Sequence, residues 1–198
     1  MQRILALDVS FVNTGWAVIE PYTDKDMIVA VGNINNPSDP KKKKRVRASN
    51  LLVERIQKVY RELCEVYELY DPSAVIAEIP VAGGKSMKAA QGMTAGTAIA
   101  ALFVVNYNLA TEWTQPDEGK MAMCRTKAAN KMQMQAAAID KFPELRNLVP
   151  ESPRSKTGYE GWFEHAADAI AAFLAAKHGT LVKMCATNNG IHPDVTLF

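Results

Sequence analysis

The sequence predicts an α/β fold built on a mixed five-stranded sheet with helices on both faces. Two observations predict the architecture. Short apolar runs separated by turn residues come first as a three-stranded meander, and further runs then alternate with long stretches of helical periodicity. A third observation predicts where its chemistry lies: two of the apolar runs end on a carboxylate, at Asp8 and at Glu78.

In order, Met1–Glu20 is expected as strand, turn, strand. Ile4-Leu5-Ala6-Leu7-Asp8 is apolar up to its last residue, Asn13-Thr14-Gly15 offers turn chemistry, and Trp16-Ala17-Val18-Ile19 resumes the extended pattern. Met27–Ile34 suits the third strand of the meander, and the polar stretch Asn35–Pro40 follows as loop. Between about Val46 and Tyr70, Leu51, Leu52, Ile56, Val59, Leu63, Val66 and Tyr67 recur at helical spacing until Asp71-Pro72 stops the helix. Ala74-Val75-Ile76-Ala77-Glu78 is the fourth strand, and Gly83-Gly84 leads into a helix over Ser86–Val105. Asn108–Trp113 suits a fifth strand, Arg125–Lys141 a third helix and Trp162–His178 a fourth, with Pro-bearing loop between the last two. The order β-β-β-α-β-α-β-α-α implies a mixed sheet. One domain is expected over residues 1–178, and the tail 179–198 shows no clear pattern.

Composition narrows the function classes. The chain has 198 residues, 48% hydrophobic and 22% charged, with a formal net charge of +2, an ordinary soluble profile. No formal charge occurs between Lys88 and Glu112, but polar residues interrupt the stretch, so a helix running into a strand is expected rather than a membrane span. No signal peptide is visible, and Cys64, Cys124 and Cys185 lack metal-type spacing, so reduced thiols in a cytoplasmic protein are expected. Gly83-Gly84-Lys85-Ser86 superficially resembles a phosphate-binding loop. Ile79 stands where the first glycine of that loop is required, which argues against a nucleotide cofactor. Lys85 and Lys88 are read instead as contacts to a phosphate backbone. Lys41, Lys42, Lys43, Lys44, Arg45 and Arg47 place six cations in seven positions, a run that suits sequence-independent contact with DNA.

A carboxylate at the end of a buried strand is costly unless a cation compensates for it. Asp8 could instead initiate a turn, and Glu78 could leave its strand into solvent. His165-Ala166-Ala167-Asp168 puts a third acid and an imidazole on one face of the last helix, where Asp168 could simply favour the helix start. Small residues around that pair, Ala166, Ala167, Ala169, Ala171 and Ala172, would let the helix come close to the sheet. The acids could then be satisfied together by divalent metal, hard Mg²⁺ preferring the carboxylates and a histidine favouring tolerance of Mn²⁺. This is the pattern of a metal-dependent nuclease.

Taken together, these residues resemble the RuvC family of Holliday junction resolvases, within the RNase H-like superfamily. The resemblance rests on the first strand ending at Asp8 with Thr14-Gly15 following, the strand ending at Glu78, and the late helix with His165 and Asp168, in that order. It implies a structure-selective endodeoxyribonuclease, a homodimer that hydrolyses phosphodiester bonds in four-way DNA junctions. Two Mg²⁺ per active site, with Mn²⁺ able to substitute, would be held by Asp8, Glu78, His165 and Asp168. Lys120 and Lys131 match basic positions near the cleaved phosphate, and the products would carry 5′-phosphate and 3′-hydroxyl ends. The compact chain would also suit a phage-type resolvase, acting in the host cytoplasm. It departs from the family in having Val9-Ser10 where Pro-Gly is usual, His165 in place of an acid, and no evident aromatic after Glu78, Val81 lying nearby. A broader flap or fork nuclease of the same fold, or a catalytically silent junction binder, are the alternatives.

Overall fold

The computed structural model describes residues 1–37, 47–79, 87–152 and 158–193. Five strands, β1 (Ile4–Asp8), β2 (Asn13–Pro21), β3 (Asp26–Asn35), β4 (Ala74–Glu78) and β5 (Ala110–Thr114), form one sheet in the order β3-β2-β1-β4-β5. The first three pair antiparallel as the expected meander, while β4 and β5 add in parallel. Parallel neighbours need crossovers. These are α1 (Ala48–Tyr70) between β3 and β4, and α2 (Met87–Tyr107) between β4 and β5.

Alternation along each strand sends side chains to two cores. Leu5, Leu7, Val18, Val75 and Ala77 pack with Val59, Leu63 and Val66 of α1 and with Ile99, Ala100 and Phe103 of α2. Ile4, Ala6, Ala17, Ile19, Ala74 and Ile76 pack on the other side against α6 (Phe163–Ala176), which contributes nine buried residues, six of them alanine. Around α6 lie α3 (Pro116–Cys124), α4 (Lys131–Lys141) and the short α5 (Leu145–Leu148). Cys64, Cys124 and Cys185 are free thiols. Among the described residues no single helix is long and apolar enough to cross a membrane. The bent pair of α6 and α7 (Thr180–Asn189) passes by length and composition alone, and α6 is the buried core helix.

The structure corrects the sequence reading in four places. The expected helix over Arg125–Lys141 is shortened to α4, Lys131–Lys141: Arg125 takes a left-handed conformation (φ 59°) that ends the preceding α3, and the Asn130 side chain caps α4 by accepting from the Gln133 backbone N–H. α3 went unread although Gln115-Pro116-Asp117-Glu118 is a capping box with proline at the first helical position. The tail after Gly179 contains α7, and the Asn189 side chain ties it to the sheet by donating to the carbonyls of Gln2 and Pro21. Asn13-Thr14-Gly15 are strand residues of β2 rather than the turn, which falls between Asp8 and Asn13.

Candidate active site

The site forms where the sheet's parallel and antiparallel halves meet. β1 and β4 run in register from Ile4↔Ala74 to Asp8↔Glu78, so the two strand-end carboxylates lie side by side on the face that packs against α6. On the other side Asp8 pairs with Gly15 of β2. Gly15 is there because of α6: a Cβ at that position would lie 2.0 Å from the His165 carbonyl oxygen. This missing side chain lets the helix settle onto the sheet and bring His165 and Asp168 to the strand ends.

The loop after Asp8 is pinned from several sides. The Thr14 hydroxyl donates to the Ser10 carbonyl at 2.6 Å, and the buried Asn36 side chain donates to the Phe11 carbonyl at 2.9 Å. Arg55 of α1 donates to the Asn36 carbonyl and stacks 4.3 Å above the Phe11 ring.

His165 is held between two carboxylates. Its Nδ1 lies 3.2 Å from Asp8 Oδ2, and its Nε2 lies 3.4 Å from Glu164 Oε1. The same Glu164 oxygen accepts from the Lys131 ammonium at 2.6 Å. Burial disfavours a charged imidazole here, but the hydrogen bond to Asp8 and the charges of Asp8, Glu164 and Asp168 outweigh it, so the His165 pKa rises above its ordinary value. Burial pushes Glu78 up to about 8, with the charges of Asp8 and Asp168 adding and that of Lys120 opposing. Burial likewise pushes Asp168 up to about 7, with Asp8 and Glu164 adding and His165 and Lys131 opposing. Three acids thus face one another with less cationic compensation than their charges require.

That electrostatic deficit fits divalent cation. The donors are carboxylate oxygens from β1, β4 and α6 with one imidazole, a set suited to a hard or borderline ion. Ligation requires a neutral imidazole and ionised acids, so uptake of such an ion would compete with proton binding at Glu78, Asp168 and His165, which the site favours. Among the described residues, no group of three His, Cys, Asp or Glu is already arranged to hold an ion. The cluster is therefore an assembled set of donors rather than a closed cage.

The structure brings together six of the residues read from the sequence: Asp8, Glu78, His165, Asp168, Lys120 and Lys131. Arg47 is exposed at the start of α1, a helix on the opposite face of the sheet. Lys41, Lys42, Lys43, Lys44, Arg45 and Lys85 lie outside the described residues, and Lys88 falls in the first turn of α2. Glu164 was missed. A glutamate in a first helical turn reads as an ordinary solvated acid, and only the fold places it against Lys131 and His165.

No protein-family model matches the chain. A crossover junction endodeoxyribonuclease RuvC from Dehalococcoides mccartyi is 29% identical over 133 residues, covering 67% of this chain and 74% of that protein. The same enzyme from Hyphomonas neptunium is 26% identical over 183 residues, covering 92% and 94%. Among solved structures, Thermus thermophilus RuvC in complex with a Holliday junction substrate superposes with a TM-score of 0.64 at 16% identity, covering 94% of this chain and 98% of that one. The yeast mitochondrial Holliday junction resolvase superposes at 0.52 with 12% identity, covering 94% and 84%. In sequence the chain is similar to these RuvC enzymes, and in fold it is similar to the solved RuvC and resolvase structures.

Proposed function

We propose that this protein is a crossover junction endodeoxyribonuclease that hydrolyses phosphodiester bonds in four-way DNA junctions. The observation that carries the reading is the row of acids at the sheet's centre: Asp8 and Glu78 in register, with His165 and Asp168 delivered by α6 onto Gly15. Asp8, Glu78 and Asp168, with His165, would hold two divalent cations, Mg²⁺ with Mn²⁺ as substitute. When bound, such ions lower the pKa of a coordinated water and offset charge on the leaving 3′-oxygen, giving 5′-phosphate and 3′-hydroxyl ends.

The remaining roles belong to the chain. Asp8, bordered by Glu78, Gly15 and His165, is the central ligand. His165 is held by Asp8 and Glu164 in one orientation, from which it ligates or accepts a proton from the attacking water. Lys120 on α3 and Lys131 at the start of α4 flank the acids and supply positive charge to the scissile phosphate. Lys41–Lys44, Arg45, Arg47, Lys85 and Lys88 contact flanking phosphates, which position the duplex arms without reading sequence.

Two paired nicks require two such sites, hence a homodimer. The support lies on α2, whose outer face exposes Thr94, Ala98, Ala101, Leu102 and Val105 without a formal charge. Gly96 does not belong to that surface: it packs within the subunit, where an added Cβ would lie 3.1 Å from Val9 Cγ1. Leu102→Lys with Val105→Glu is thus the variant that addresses the dimer.

The test is cleavage of a synthetic four-way junction beside flap, fork and plain duplex controls, with and without Mg²⁺. Paired, symmetric, Mg²⁺-dependent nicks in the junction are expected. Equal or preferred cleavage of flaps or forks would replace the substrate class, and binding without cleavage in any divalent ion would remove the enzymatic reading.

A further inference from the structure

We propose that Thr114 is a positioning residue for Glu78, its hydroxyl donating to the Glu78 carboxylate when that carboxylate holds a cation. The inference rests on the cation-site reading above and adds a residue to it. Thr114 is the last residue of β5, paired in register with Glu78 across parallel strands, so both side chains leave the same face of the sheet. It extends the row Gly15, Asp8, Glu78 by one strand.

Thr114 is only 5% exposed, and its Oγ1 is buried with no hydrogen-bond partner among the described residues. A buried hydroxyl without a partner costs free energy that valine, nearly the same shape, would avoid. Its backbone is already employed, since the Thr114 carbonyl accepts from the Ile79 N–H at 2.9 Å and locks the two strand ends together. The hydroxyl has no such structural use among the described residues. An ionised Glu78 offers about four lone-pair sites, more than its share of a metal centre consumes. A donor on one oxygen would fix which oxygen faces the ion, and removal of this kind of outer support typically weakens metal binding by roughly 10–100-fold.

Thr114→Val and Thr114→Ser decide the matter, read by binding of Mn²⁺ to the metal-free protein without DNA, with the free ion followed by its electron paramagnetic resonance signal. Thr114→Val is expected to bind Mn²⁺ roughly 10-fold more weakly, while melting at or above the wild-type temperature in EDTA because the orphaned hydroxyl is gone. Thr114→Ser is expected to restore binding. Junction cleavage by Thr114→Val should recover at saturating Mn²⁺. A Thr114→Val protein that binds Mn²⁺ as the wild type does overturns the role of Thr114 and leaves the cation site standing. Wild-type protein that takes up no Mn²⁺ overturns both.

Discussion

The two faces of the sheet are packed in different ways. The face under α1 and α2 is filled with large side chains: Leu5, Leu7 and Val75 meet Leu63 and Phe103, with Tyr67 and Tyr107 stacked at 3.9 Å. The face under α6 mixes Ile4, Ile19 and Ile76 with Ala6, Ala17, Ala74 and one glycine, six of the helix's nine buried residues are alanine, and the helix descends until the His165 carbonyl occupies the space of a Gly15 side chain. The first face stabilises the fold, and the second trades side-chain volume for proximity. Only proximity of that kind lets a helix place an imidazole and a carboxylate against the ends of two central strands.

Glycine substitutions on the two faces probe this contrast most severely. Gly15→Ala must push α6 off the sheet, so it is expected to destabilise the protein by about 3 kcal/mol and to abolish junction cleavage, measured by urea unfolding and gel assay. Gly96→Ala, on the other face, asks only that Val9 yield by a few tenths of an ångström and gains helix propensity. Near-wild-type stability and cleavage are expected there. Similar losses for both variants would erase the distinction between the faces.

Charge removal comes next. Asp8→Asn, Glu78→Gln and Asp168→Asn should each reduce cleavage to background while retaining junction binding. Glu78→Gln should also raise the melting temperature of the metal-free protein near pH 8, because a buried, repelled carboxylate is gone. Turnover close to wild type in any of the three would remove that residue from the site.

The acids also give the metal-free protein a pH signature. Glu78 rises from 4.5 to about 8 and Asp168 from 3.8 to about 7 in the folded state. Folding therefore favours their protonated forms, and the unfolded chain releases these protons first as pH increases. The stability they contribute is complete below about pH 4 and is lost as pH rises to about 8. Melting in EDTA should fall across that window by on the order of 5 °C, and Mg²⁺ should remove most of the fall. An EDTA curve that is flat from pH 5 to 8 would mean that neither burial nor mutual repulsion shifts these acids.

The smallest effect is expected at Glu164. Glu164→Gln keeps the shape but loosens the grip on His165 Nε2 and Lys131, and cleavage should fall by roughly 10-fold with junction binding retained. No change would make Glu164 a bystander of the Lys131 ion pair.

Much of this was legible in the sequence, for local reasons. Asp8 and Glu78 stand out because each ends an otherwise apolar strand, and His165 and Asp168 because half of the helix around them is alanine. The register that sets Asp8 beside Glu78 was not legible, since it depends on pairing between segments about 70 residues apart. α3 escaped notice because nine residues including Gly119 are too few to display a helical period, although the capping box was present. Glu164 and Thr114 look ordinary in the sequence; one needs α4, and the other the β4–β5 register, before its position means anything. In the sequence Gly15 suggests turn chemistry, whereas its cause lies 150 residues further along the chain, in the His165 carbonyl.

In the proposed function the acid row on the α6 face holds divalent cation. Crystals of the protein soaked in Mn²⁺ and measured at the manganese edge test it directly. Anomalous peaks bounded by Asp8, Glu78 and Asp168, with His165 adjacent, are expected, as is their loss in Glu78→Gln. Protein that cleaves junctions in Mn²⁺ yet shows no peak among these residues, or peaks elsewhere, would contradict it.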